Sequence, residues 1–521
     1  MPRLNPAHRL VLLVAALALP TTRVLAQPAS HEKPANTPAA DKEPVKKTAA
    51  TIPDATEKPV VTSHTITVDG RRIAYRAEAG MLPLLKEDGS PKASVFYVAY
   101  TLDGGDGAGQ PTATSGRPLL FCFNGGPGAS AVWLHLGGLG PRRARVNEDG
   151  TLPPPPFQLV DNDATALVAA DLVFIDPVAT GYSRAAQAEK PEQFFGKHPD
   201  IKAVAEFIRL YTTRHGRWRS PKYLCGESYG VFRAAGVAHE LQQEHGMFLS
   251  GLVLVSGLVD FETIRTAPCN DLPFCMFLPS YTAVAHAHGK LPADLQADLA
   301  AAVAEARAFA GGDYAAALYA GASLPTERRD AVATRLARLT GLSQEVVLKH
   351  DLRVDPGAFR KELLAKERLI CGRFDGRITG RDGDQAAARP AFDPSYTAAL
   401  GPLASTMNAY VREELRFETD VPYKVLTGVE PWPFDQNAYA STSRELADAL
   451  AQNPHLRVLV AVGLCDLAVP GDSMRHSIDH LKLAPELRNA ITFAEYASGH
   501  MMYLNLPDLR KLRTDLEAFL K

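Results

Sequence analysis

The chain has 521 residues, 46% of them hydrophobic, which suits about two to four domains or one large domain carrying an insertion. Lysine plus arginine number 56 and aspartate plus glutamate 58, a net charge of −2. This excludes the broad basic field expected of a nucleic-acid binder.

Arg3 and Arg9 precede an apolar run from Leu10 to Leu19, and Val24-Leu25-Ala26 forms a cleavage site before Gln27. Residues 1–26 therefore read as a signal peptide, and the expected location is secreted or periplasmic. The apolar run is about half of the roughly 20 residues a membrane span needs. No cysteine follows the cleavage site to carry a lipid, so no membrane anchor is expected. Residues 27–60 are rich in Pro, Ala, Lys, Glu and Thr and read as a flexible linker, because they cannot bury enough apolar surface to offset ordering.

Alternating strands follow. His64 to Val68 and Arg71 to Ala79 flank Asp69-Gly70, a hairpin signal, and Ala93 to Leu102 is a third strand. Gly104 to Gly116 is a glycine-rich loop. Pro118 to Phe123 is an apolar run that stops at Asn124-Gly125-Gly126-Pro127-Gly128, and Asp171 to Ile175 is a strand ending in Asp176-Pro177. Glu192 to His215 is helical and Leu252 to Val255 is a buried strand. From residue 263 to 420 the pattern turns helical, with segments at Leu291 to Ala310, Asp313 to Tyr319, Pro325 to Leu339 and Ser343 to Lys349. Alternation then resumes with a helix at Thr442 to Gln452, strands at Val458 to Val462 and Ile491 to Tyr496, and a helix from Pro507 to Leu520. The expected architecture is an α/β-hydrolase fold: a central, mostly parallel sheet flanked by helices, its core divided into 61–262 and 421–521 by a helical cap at 263–420.

The chemistry centres on Tyr223-Leu224-Cys225-Gly226-Glu227-Ser228-Tyr229-Gly230. A short strand, Gly-x-Ser-x-Gly and a helix from about Val231 make a nucleophile elbow. It lifts the Ser228 hydroxyl above the sheet and sets a helix N-terminus behind it. A serine hydroxyl needs a base, and the base needs an orienting carboxylate. In α/β-hydrolases these follow in the order Ser, acid, His, on loops after strands. Asp466, after Gly463-Leu464-Cys465, and His500, after Ala497-Ser498-Gly499, occupy those places. Backbone N–H groups for an oxyanion hole can come from Tyr229, just after the nucleophile, and from the Asn124–Gly128 turn.

His286 and His288 have metal-ligand spacing, but no acidic or cysteine partner frames them, and no metal or other cofactor is expected. Cys122, Cys225 and Cys465 end apolar strands and read as small buried hydrophobes. Of the six cysteines, Cys269 and Cys275 bracket a short loop and are the candidate disulfide.

These residues together resemble the serine carboxypeptidase family, the group of carboxypeptidase Y and cathepsin A. The resemblance rests on Asn124-Gly125-Gly126-Pro127-Gly128, Asp176-Pro177-Val178-Ala179-Thr180-Gly181-Tyr182-Ser183, Gly226-Glu227-Ser228-Tyr229, Gly463 with Asp466, and Gly499-His500-Met501. It implies a triad of Ser228, Asp466 and His500, and an oxyanion hole from Gly126 and Tyr229. It also implies that Asn124, Gly125 and Glu227 bind the substrate's terminal carboxylate. Two carboxylates at close range cannot both be ionised, so an acid-favoured carboxypeptidase acting on peptides with a free C-terminus is expected.

The chain departs from the family pattern at several points. Cys122 stands where well-known members have Trp, Ala129 where they have a half-cystine, and Gly138 where they have the glutamate that pairs with the one before the nucleophile. The Asp176 loop is one residue shorter than theirs. These departures fit a divergent, bacterial-type branch. An esterase or acyltransferase on the same machinery, or a non-catalytic binding protein, would share most of the pattern. Nothing in the sequence fixes the oligomeric state, a homodimer included.

Overall fold

The structure, a computed structural model, describes residues 58–103, 116–435 and 438–521. The expected signal peptide at 1–26, residues 27–57 of the expected linker and residues 104–115 of the expected glycine-rich loop lie outside the described residues.

The chain starts by short-range pairing. β1 (Val60–Val68) and β2 (Arg71–Leu85) meet across Asp69-Gly70. Both turn residues have positive φ, 50° and 73°, as the mirror-image hairpin turn requires. β3 (Pro91–Leu102) lies antiparallel to β2, which runs past the expected end at Ala79 through Gly80 and Pro83. Those two residues normally punctuate a strand, which is why its second half is hidden in the sequence.

The parallel part comprises β4 (Leu119–Phe123), β5 (Asp171–Ile175), β6 (Lys222–Glu227), β7 (Gly251–Val255), β8 (Arg457–Gly463) and β9 (Ile491–Tyr496). The strand order is β1-β2-β3-β5-β4-β6-β7-β8-β9, with Arg184–Ala185 pairing beside β3. Every residue of β4 to β7 is buried, as expected of strands covered on both faces. This is the α/β-hydrolase architecture.

Side chains alternate across the sheet, so each strand feeds two cores. Phe121, Phe123, Leu224 and Leu254 pack on one face with Phe207 and Ile208 of α1 (Lys197–Arg214) and Val231, Ala234 and Leu241 of α2 (Tyr229–His245). Cys122, Phe174, Cys225 and Val253 point to the other face.

Between β7 and β8 lies a helical segment with its own core. α3 (Leu272–Ala287), α4 (Leu299–Phe309) and α5 (Thr326–Thr340) pack through Leu278, Tyr281, Val303, Phe309, Leu336 and Leu339. A short hairpin, Leu369–Cys371 with Thr379–Arg381, interrupts the helices. α6 (Pro394–Glu413) instead sends Leu403, Met407 and Tyr410 into the main core on the Cys122 face. α7 (Ser443–Gln452) joins the α1 and α2 side, and α8 (Leu506–Leu520) covers the opposite one.

The expected Cys269–Cys275 bridge is not formed: both are free, Cys269 in an exposed turn and Cys275 turned into the core of the helical segment. Cys122, Cys225 and Cys465 are buried in apolar surroundings. His286 and His288 spend their Nε2 atoms on the carbonyls of Gln296 (3.0 Å) and Gly376 (2.8 Å). Among the described residues, no helix is long and apolar enough to cross a membrane, and no cluster of three metal-ligating side chains occurs.

Phe207 has no exposed surface and packs edge-on against Tyr97 at 5.7 Å between centroids. Phe207→Ala is expected to cost about 3–5 kcal/mol of stability, read as a lower urea midpoint.

Candidate active site

Ser228 sits between the end of β6 and the start of α2 with φ 60° and ψ −126°, a strained backbone for a residue with a Cβ. Two bonds pin the turn: the Ser228 N–H donates to the Val255 carbonyl (3.0 Å), and the Val231 N–H to the Ser228 carbonyl (2.9 Å). As the first residue of α2, Tyr229 has an N–H with no intrahelical acceptor. The Asn124–Gly128 turn after β4 presses against it. A side chain at Gly125 would come within 2.3 Å of the Tyr229 nitrogen, so only glycine permits this approach.

That turn is fixed from behind by a buried ion pair. Arg233 of α2, 1% exposed, donates to both Asp200 carboxylate oxygens (2.8 and 3.0 Å) and to the Asn124 carbonyl. Its guanidinium lies over the rings of Phe123 and Tyr229. Burial pushes the Asp200 carboxyl above its ordinary value, against the pull of Arg233. The Asn124 side chain completes the frame, accepting from the Leu134 N–H (3.1 Å) and donating to Glu227.

Asp466 follows β8 and is fully buried. Its Oδ1 accepts from the backbone N–H groups of Ala468 (2.7 Å) and Val469 (2.9 Å), and its Oδ2 from Nδ1 of His500 (2.6 Å). Burial opposes charge on His500. The nearby Asp466 charge, their hydrogen bond and the charge of Glu227 outweigh it and raise the imidazole above its ordinary value. With Nδ1–H donating to Asp466, Nε2 is left as the nitrogen that can accept a proton.

Glu227 is buried beside Ser228. Tyr503 donates to its Oε1 (2.8 Å) and Asn124 to its Oε2. Burial pushes its carboxyl up to about 7, against the influence of His500 and the Tyr503 bond.

One cavity of about 530 Å³ gathers these parts: Asn124, Gly125, Gly126, Glu227, Ser228 and His500 all line it. Tyr229, 4% exposed, lies beneath. The hydroxyl of Ser228, among the described residues, makes no hydrogen bond to His500. Bonds of this kind are often long until a substrate is bound.

The remaining wall comes from residues not picked out in the sequence: Arg373, Phe374 and Tyr396 from the helical segment, and Leu426, Thr427 and Gly428 after it. Residues 373–376 are stitched to the loops that carry Asp466 and His500. The His500 N–H donates to the Phe374 carbonyl (2.5 Å) and the Leu467 N–H to the Arg373 carbonyl (3.1 Å). The Gly376 N–H donates to the Cys465 carbonyl (2.9 Å), and the Gly499 N–H to Asp375 (3.1 Å). The Phe374 ring also stacks on the imidazole, with centroids 5.1 Å apart. No sequence motif signals these wall residues. Arg233 could have been suspected as a charge within the apolar run Val231-Phe232-Arg233-Ala234-Ala235, and Tyr503 from its place three residues after His500.

The strand order and the strained serine turn define the class as an α/β-hydrolase. Within it, residues 75–273 match the family model described as serine carboxypeptidase. The pheromone-processing carboxypeptidase KEX1 of Saccharomyces cerevisiae is 35% identical over 108 residues, 20% of this chain. That match spans only 13% of the yeast protein's length. The crystal structure of Kex1(delta)p, a prohormone-processing carboxypeptidase from the same yeast, superposes with a TM-score of 0.53. It does so at 17% identity over 85% of this chain and 91% of its own, a likeness of fold.

Asp200→Asn would leave the Arg233 charge buried without its counter-ion. A loss of about 3–5 kcal/mol is expected, measured as a shift in the chemical denaturation midpoint.

Proposed function

We propose that this chain is an exported serine carboxypeptidase that removes C-terminal residues from peptides through an acyl-enzyme and works best at acid pH. One observation carries the reading: Glu227, a buried acid that holds its proton near neutrality, shares a single cavity with Ser228 and with the His500 that Asp466 orients. Export is the function of the signal sequence at residues 1–26.

In the proposed cycle the Ser228 Oγ attacks the carbonyl carbon of the last peptide bond while His500 Nε2 takes the hydroxyl proton. The oxyanion that forms accepts N–H donors from Gly126 and Tyr229. The tetrahedral species collapses, the C–N bond breaks, and His500 returns the proton to the departing amine, releasing the C-terminal residue. Water, deprotonated by His500, then attacks the acyl–Ser228 ester, freeing the shortened peptide and restoring the hydroxyl. Asp466 holds the imidazole by its Nδ1 and stabilises the imidazolium.

Glu227 supplies the end-specificity. Protonated, it donates to the substrate's terminal carboxylate, beside Asn124 and Gly125; ionised, it repels it. It also affects the base. The negative charge of Glu227 helps to hold a proton on His500, so protonating Glu227 eases the imidazole toward its neutral form. An acid Glu227 and a basic His500 therefore support one another below neutrality.

Ser228→Ala is expected to lower kcat by about 10⁶-fold and Asp466→Asn by about 10⁴-fold, measured on a peptide with a free C-terminus. Retained turnover in Ser228→Ala would move the nucleophile elsewhere. For such a peptide KM should rise as the pH passes upward through about 7 and Glu227 ionises. Glu227→Gln should flatten that rise, and a C-terminally amidated peptide should be spared. Equal cleavage of the amidated peptide would favour an esterase or acyltransferase.

A further inference from the structure

We propose that Tyr503 is the positioning residue of Glu227: a fixed phenol donor, and not a second carboxyl sharing a proton, holds the carboxylate-binding acid. The inference rests on the reading of Glu227 as the group that meets the substrate's terminal carboxylate.

Tyr503 lies in the short turn Met502–Leu504, directly after His500 and before α8, and has no exposed surface. Its hydroxyl donates to Glu227 Oε1 at 2.8 Å. The ring lies against Gly137 and Gly138. A Cβ at Gly138 would fall 2.6 Å from the Tyr503 Cβ, and one at Gly137 would fall 2.6 Å from the ring carbon Cε2. A side chain at position 138 and the tyrosine in its present place are therefore mutually exclusive on this backbone.

The chemistry of the two arrangements differs. A pair of carboxyls titrates as a unit and passes one proton between its members. A phenol buried like Tyr503 is held well above its ordinary value by burial and by Glu227, and keeps its proton at any working pH. Toward a carboxylate it acts as a donor, and a donor favours the ionised form of its acceptor. Glu227 then titrates with no second carboxyl sharing its proton, held by Tyr503 on one oxygen and Asn124 on the other. The other titratable or charged groups around it are His500, Asp466, Cys225 beneath Tyr503, and Arg373 in the cavity wall.

The test is the pH profile of kcat/KM for an N-blocked dipeptide acid divided by that for its C-terminal amide, in the wild type, Y503F, G138A and E227Q. Y503F keeps the ring in its bed and removes only the donor. Glu227 should then hold its proton to higher pH, and the alkaline limb of the ratio should move up by about one pH unit. G138A forces the ring aside and should move the limb in the same direction. A limb that disappears in E227Q but stays in place, or moves down, in Y503F overturns the role of Tyr503 and leaves that of Glu227 standing. A limb that survives unchanged in E227Q overturns both.

Discussion

The bond between His500 and Asp466 is the contact on which the rest of the site depends. An imidazole 3% exposed would ordinarily stay neutral and turn to suit its packing. Here a carboxylate without solvent contact, itself held by two backbone N–H groups, fixes its Nδ1 and raises its affinity for a proton. Both groups sit just past the C-terminal ends of adjacent parallel strands, β8 and β9, so their separation is set by sheet spacing and not by loop flexibility. The serine turn follows β6 in the same sheet, and the Asn124–Gly128 turn follows β4 beside it. Four loops from neighbouring strands thus converge because the strands beneath them are hydrogen-bonded in register.

Electrostatic balance at the floor of the cavity follows from that convergence. Glu227, Asp466 and His500 are all buried, and three ionisable groups without water cannot take their charges independently. Asp466 is bonded to the imidazole, so the charges of Glu227 and His500 depend on one another. Behind them the Arg233–Asp200 pair carries no chemistry of its own but holds the Asn124 carbonyl, and with it the turn that approaches Tyr229.

Legibility in the sequence tracked how local the determining physics is. The hairpin at Asp69-Gly70, the strand Asp171–Ile175 and the strand Ile491–Tyr496 occur where the pattern places them, since turn chemistry and apolar runs are local signals. The residues of the candidate site were legible because each stands at the end of such a strand. Two helices were not. α3 contains Pro273 and Pro279, and α6 contains Pro394 and Pro402. A proline near the first turn is harmless, but one inside a helix reads as a break unless tertiary packing holds the helix, as the buried Leu278, Tyr281, Leu403 and Met407 do here. The Cys269–Cys275 expectation failed for a similar reason: proximity in sequence says nothing of the direction in which a helix turns its side chains. Tyr503 could be suspected from its nearness to His500, but its contact with Glu227 depends on a gap at Gly138, more than three hundred residues away in the chain.

The stitching of residues 373–376 bears on how material reaches the cavity. This strip belongs to the segment between β7 and β8, yet it hangs from the backbones of both acid and base loops and stacks a ring on the imidazole. Lifting that segment away as a hinged cover would pull His500 from its seat. The roof near His500 therefore behaves as masonry and not as a door.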